Sequence, residues 1–259
     1  MEDSNVTLPA APIPAAAVPA PAPLLPRWAA ILQAIAISGI PTQLVIVLAL
    51  WYTTDLIVID HSGLQMSLQF MATLMLLDTA LIALLIRLFL ELSGEDSRTM
   101  FIGRRPVFGE IVRGLLFMPV VLIVVTAIVR GIRAVAPGLH TVEVNPLTQF
   151  MQSPLDGAIF ILVVILGAGI KEELQRAFVL KRFEQRLGGM RWGLVVTTVV
   201  FGVLHAPQGI DVAITIGFLG LFWGLLYMKR QSAVMSMTNH AAFDAAQVVL
   251  YLIARALGS

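Results

Sequence analysis

The chain has 259 residues, of which 58% are hydrophobic and only 13% charged, with a mean hydropathy of +0.88. A soluble domain carries about 25% charged residues, and one this apolar could not cover itself with polar surface, so a soluble globular fold is excluded. The net charge of +1 points to no nucleic-acid partner, and the absence of cysteine rules out thiol nucleophiles, disulfides and Cys-ligated metals.

Residues 1–26 form a Pro/Ala tail with prolines at 9, 12, 14, 19, 21, 23 and 26. Such a composition favours extended or disordered chain, and the tail has no basic start resembling a secretory signal. Apolar runs long enough to cross a bilayer then recur, and seven spans are expected near 28–52, 64–92, 110–132, 155–182, 191–208, 211–228 and 231–256. The fold expected is all-α, a polytopic bundle, with an N-terminal region over 27–154 and a chemistry-bearing core over 155–256. Pro41 and Pro119 fall inside expected spans, and the longest connection, 133–154, reads as a surface loop with a short interfacial segment.

Basic residues orient the chain. Arg98, Arg104 and Arg105 follow the second span, Lys181, Arg182, Arg186 and Arg191 the fourth, and Lys229 and Arg230 the sixth. Lys and Arg stay cytoplasmic, so the amino terminus is expected inside. A short multi-pass chain of this kind suits a bacterial inner membrane.

Charges inside membrane helices are costly and therefore candidates for function. Lys171-Glu172-Glu173-Leu174-Gln175-Arg176 directly follows an apolar run. Glu172 and Arg176 share a helix face at i,i+4, and Glu173 is i+3 from the same arginine. An ordinary membrane–water boundary is the bland alternative. His205 lies four residues after Phe201, and His240 four before Asp244, a spacing that brings imidazole and carboxylate to one face. Gly188-Gly189 is the natural turn between the fourth and fifth spans, and Glu172 and His205 are equidistant from it, hence level in an antiparallel hairpin. His240 falls about nine residues, roughly 13 Å, off that level.

A carboxylate with two histidines suits water-activated hydrolysis: the carboxylate takes a proton from water and the imidazoles support the oxyanion. A divalent metal such as Zn on Glu172, His205 and His240 is the alternative, although no HExxH is present. Asp78 and Arg87 in the second span are expected to pair or snorkel, Gly220 and Gly224 to pack helices, and Trp28, Trp51 and Tyr52 to anchor at the interface. His61 and His140 are expected in solvated loops.

These elements, in this order, resemble the CPBP (Abi) family, which comprises CAAX prenyl endopeptidases and bacteriocin-processing or immunity proteins. The family pattern is EExxxR, FxxxH, then HxxxN or HxxxD. The matches are Glu172-Glu173 with Arg176, Phe201 with His205, and His240 with Asp244, and the resemblance covers about residues 155–250. It implies a glutamate-dependent intramembrane endopeptidase acting on a membrane-associated or lipidated peptide, with Glu172, Glu173, Arg176, His205, His240 and Asp244 as its site. The arginine stands one position closer to the Glu pair than in the family, and anchoring on Arg176 puts Lys171 where the first Glu belongs. A non-catalytic immunity or scaffold protein of the same fold is the rival implied by that departure, and a transporter the third possibility.

Overall fold

The computed structural model describes residues 25–60 and 63–258. His61 and nearly all of the Pro/Ala tail lie outside them. The seven expected segments are all helical, but they are not seven equivalent spans. The first is two helices, α1 (Arg27–Ile37) and α2 (Ile40–Thr53), bent by 48° at Ser38-Gly39. Gly39 takes a φ of +86°, and Pro41 follows in the first turn of α2, where its missing N–H costs nothing. Pro41 therefore starts a helix instead of interrupting one, which corrects the continuous span expected there.

A short antiparallel ladder, β1 (Val58–Asp60) with β2 (Gly63–Gln65), leads into α3 (Leu68–Ser93), which is capped by the Ser67 hydroxyl and closed by Gly94 in the left-handed region. After the single turn α4 (Ser97–Phe101) comes α5 (Val107–Val135), which carries Pro119 in its interior. The connection that follows contains two 3₁₀ turns, Pro137–Leu139 and Pro146–Phe150. A capping box of Ser153 and Asp156 then opens α6 (Pro154–Val164). A π turn over Ile165–Ile170 joins α6 to α7 (Lys171–Arg186) in one continuous 33-residue helix. Gly188 and Gly189, at φ of +98° and +101°, make the expected turn into α8 (Met190–Leu204). The last helices are α9 (Ile210–Arg230) and α10 (Val234–Ala256).

Four helices, α3, α5, the α6–α7 unit and α9, are long and apolar enough to cross a membrane, and the bent α1–α2 pair makes a fifth candidate. At 15 residues α8 reaches only about 22 Å, short of the roughly 30 Å hydrocarbon core. Helix α10 is long enough, but Ser236, Thr238, Asn239, His240, Asp244 and Gln247 interrupt its apolar sequence. Length and composition thus support four to five spans where seven were expected, and the shortfall falls on the helices that build or border the polar centre.

Small residues set how closely these helices approach, as is usual within a bilayer. A Cβ on Gly169 would stand 2.5 Å from Ala241 Cα, and one on Gly114 would stand 2.9 Å from the Met235 carbonyl oxygen. Both contacts fall on α10, on either side of His240. Gly220 and Gly224 of α9 likewise admit Phe201 and Leu194 of α8, the internal packing role expected of them. Gly169→Ala and Gly114→Ala must therefore push backbone apart and should each cost roughly 1–3 kcal/mol. Gly131→Ala, which has open space for its methyl, should be neutral in the same thermal unfolding measurement in detergent.

Candidate active site

The π turn is the local feature that aims the site. It widens one turn of a long helix immediately before Lys171-Glu172-Glu173, a distortion common at functional positions. With Gly169 against Ala241, the first turn of α7 lies against the middle of α10. His240 is buried there and makes its closest polar contact through Nδ1, 3.0 Å from Glu173 Oε1. A carboxylate only accepts, so Nδ1 carries the proton. Arg176 also donates to Glu173 Oε1, so that one oxygen of Glu173, a side chain only 1% exposed, takes two donors.

The other edge of His240 faces two more carboxylates. Its Nε2 is 3.4 Å from Asp244 Oδ2 and 3.9 Å from Glu172 Oε2. The expected His240–Asp244 proximity is present, at a distance longer than a good hydrogen bond. Three unprotonated acceptors facing one another would repel, so the arrangement requires a proton on Nε2 or on one of the two carboxyls. Glu172 is the more open of the glutamates, at 22% side-chain exposure. Its Oε2 is buried without a hydrogen-bond partner.

His205 ends α8 and lies in the same aromatic frame. Its Nδ1 donates to the Phe201 carbonyl over 2.7 Å, which leaves Nε2 unprotonated in the neutral ring. The Phe201 ring is 4.7 Å from that of His205 and 6.2 Å from that of His240, so Phe201 bridges the offset that residue counting assigned to the two histidines. Among the described residues, however, His205 makes no hydrogen bond or ion pair with Glu172. The guanidinium of Arg176 sits 4.6 Å above the Phe201 ring, a cation–π contact that stands in for water.

Several site residues were not expected from sequence. Trp223 of α9 stacks on His240 at 3.7 Å and 16°, and its Nε1 donates to Asn239 Oδ1 over 2.9 Å. Asn239 in turn donates to the Gly114 carbonyl. A tryptophan in mid-helix rather than at an interface, and an amide beside His240, were the available signals. Lys171 is the main surprise. It turns away from Glu172, Glu173 and Asp244 and donates to Asp78 Oδ2 over 2.7 Å. Arg87 is exposed and pairs with Glu91. His140 is not free in solvent: its ring lies 3.1 Å from Asp211 Oδ2, beside Arg133.

Among the described residues no three His, Asp or Glu side chains are grouped as a cation site, and Glu173 is already held by Arg176.

Fold and cluster together define a multi-pass α-helical membrane protein with a carboxylate–histidine centre inside its bundle. Residues 154–246, from the α6 capping box to just past Asp244, match the family model described as type II CAAX prenyl endopeptidase, Rce1-like. This match supports the CPBP/CAAX protease family for the chain. No curated protein and no solved structure matches it.

Loss of one neutral hydrogen bond costs about 1 kcal/mol. Trp223→Phe should therefore lower stability by that order. Combined with Asn239→Ala, Trp223→Phe should cost about 1 kcal/mol less than it does alone, because the shared bond is already gone while the ring contact with His240 is still lost. A thermal double-mutant cycle measures this coupling.

Proposed function

We propose that the protein is an intramembrane endopeptidase with Glu172 as general base, acting on a membrane-associated, prenylated peptide. One observation supports the choice of base: Glu172 has a buried carboxylate oxygen with no partner, whereas Glu173 Oε1 already takes both Arg176 and His240. In this mechanism Glu172 takes a proton from water as the oxygen attacks the scissile carbonyl carbon. The proton held between His240 Nε2 and Asp244 supports the oxyanion, while His205 Nε2, unprotonated in the neutral ring, serves beside Phe201 as an acceptor only. Collapse of the tetrahedral species breaks the C–N bond, and the proton taken by Glu172 passes to the leaving amine. Arg176 and Asp244 hold the charge balance around these groups. The prenyl group follows from the description of the matching family. The division into an N-terminal region over 27–154 and a catalytic core over 155–256 belongs to the same proposal.

The immunity or scaffold reading rests on Lys171 at the base position and on the shortened Glu–Arg spacing; the Lys171–Asp78 pair supports the peptidase reading against the first of these. Glu172→Gln keeps the size and removes the basicity, so it should lower cleavage of a farnesylated CAAX peptide in proteoliposomes by about 10²–10⁴-fold. Glu173→Gln should cost less. Reversed losses would transfer the base role to Glu173, and a wild-type protein that cleaves nothing would restore the scaffold reading.

The membrane placement proposed is that of a bacterial inner membrane with a cytoplasmic amino terminus, supported by the alternating basic loops. The chain has no native cysteine, so a cysteine introduced at Gly188 should react only with a membrane-permeant maleimide. Labelling by an impermeant reagent from outside the cell would reverse the orientation.

A further inference from the structure

The KEELQR segment has two working faces, and the family resemblance concerns only one. Glu173 and Arg176 face α10 and α8. Lys171 and Gln175, four residues apart on another face, reach into the first three helices. Lys171 Nζ is 2.7 Å from Asp78 Oδ2 in α3. Asp78 is fully buried and also accepts from Thr42 and, over 3.1 Å, from Gln43 Nε2. Gln175 Nε2 donates over 2.6 Å to the carbonyl of Ile37, in the last turn of α1. The α1–α2 break at Gly39 makes room for it, since a Cβ there would stand 3.0 Å from Gln175 Nε2.

This anchoring answers a problem set by the π turn. A π turn holds one residue more than an α turn, and each residue of an α-helix advances the side chain by about 100°. Moving or removing the bulge by one residue would bring Lys171 or Glu173 to the place of Glu172. After its first turn α6 is apolar on all sides, so no polar side-chain contact there opposes such a slip. Lys171, a buried cation whose only carboxylate partner among the described residues is Asp78, would oppose it, since breaking such a pair leaves a buried charge unmatched.

We infer that the Lys171–Asp78 pair is a positioning device that fixes the register of α7 after the π turn, and so selects Glu172 as the carboxylate presented at the Nε2 edge of His240. Lys171 and Asp78 are positioning residues that need not touch substrate, and the first three helices act on the chemistry through them. The inference rests on the peptidase reading for its activity arm.

The test uses the full chain in proteoliposomes, with rates expressed per folded molecule. Misplacement of a reacting group by about 1 Å can cost on the order of 10²-fold. Asp78→Asn and Lys171→Met should each lower kcat on a farnesylated CAAX peptide to about that extent while KM stays within a factor of about two. The charge-exchanged variant Asp78→Lys/Lys171→Asp should recover at least about tenfold of the loss. Where the exchanged pair does not fold, the neutral hydrogen-bonded pair Asp78→Asn/Lys171→Gln takes its place, with the same recovery expected. Unchanged kcat in both single variants, or paired variants no better than the singles, would overturn the inference.

A second arm is independent of cleavage. A cysteine at Glu172 in this cysteine-free chain should change its rate of reaction with a permeant maleimide by about tenfold when Asp78→Asn is added, and an unchanged rate overturns the inference. If the wild type cleaves no prenylated peptide, the peptidase reading fails, and this arm alone decides the positioning role.

Discussion

The approach of α10 to the π turn is the contact on which the polar centre depends. Glycine at 169 lets the backbone of Ala241 come within van der Waals reach, and glycine at 114 does the same on the other side of His240. A methyl group at either position would hold α10 off. The hydrogen bonds from His240 to Glu173 and from Asn239 to the Gly114 carbonyl span only about 3 Å, and neither survives a shift of that size. Helix association in lipid gains nothing from burying apolar surface, so close packing and a few polar contacts decide the geometry.

Charge is distributed to match. Glu173 is compensated by Arg176, Asp78 by Lys171 and Glu110 by Arg230. Each pair joins segments that the chain must bring together, α7 to α3 or α9 to α5, or braces the first turn of α7 itself. Glu172 and Asp244, by contrast, meet the Nε2 edge of His240 with no ion pair to Lys or Arg among the described residues. Leaving acceptors short of donors in a buried site is costly, and a reacting water with a polarised carbonyl is the kind of occupant that relieves it. The stacked Trp223 and the T-shaped Phe201 keep the imidazole from rotating away.

The helices and the elements of the centre were legible because their signals are strong and local. Apolar runs mark membrane helices, Gly188-Gly189 marks a turn, and Glu172, Glu173, Arg176, His205, His240 and Asp244 stand out as polar groups in apolar surroundings. The rest depended on geometry that periodicity does not encode. Nothing in Ile165–Ile170 distinguishes a π turn from an α turn except its two glycines, yet that turn decides which faces Lys171, Glu172 and Glu173 take. The break at Ser38-Gly39 was hidden by continuous hydropathy on both sides. Pairing of Lys171 with a residue 93 positions earlier is a tertiary event, and so is capture of His140 by Asp211. Length and composition mark only four to five spans because α8 is short and α10 carries polar residues in its middle.

The central claim is that His240 and Glu173 are joined at the heart of the bundle, with Glu172 left free beside them. The ring-nitrogen NMR signals of His240 in lipid, identified by their loss in His240→Asn, test it most directly. A protonated Nδ1 in a strong hydrogen bond is predicted. That signal should shift when Glu173 is replaced by Gln and stay in place when Glu184, which pairs with Lys181 away from the site, is replaced instead. A His240 signal unmoved by Glu173→Gln would contradict the account.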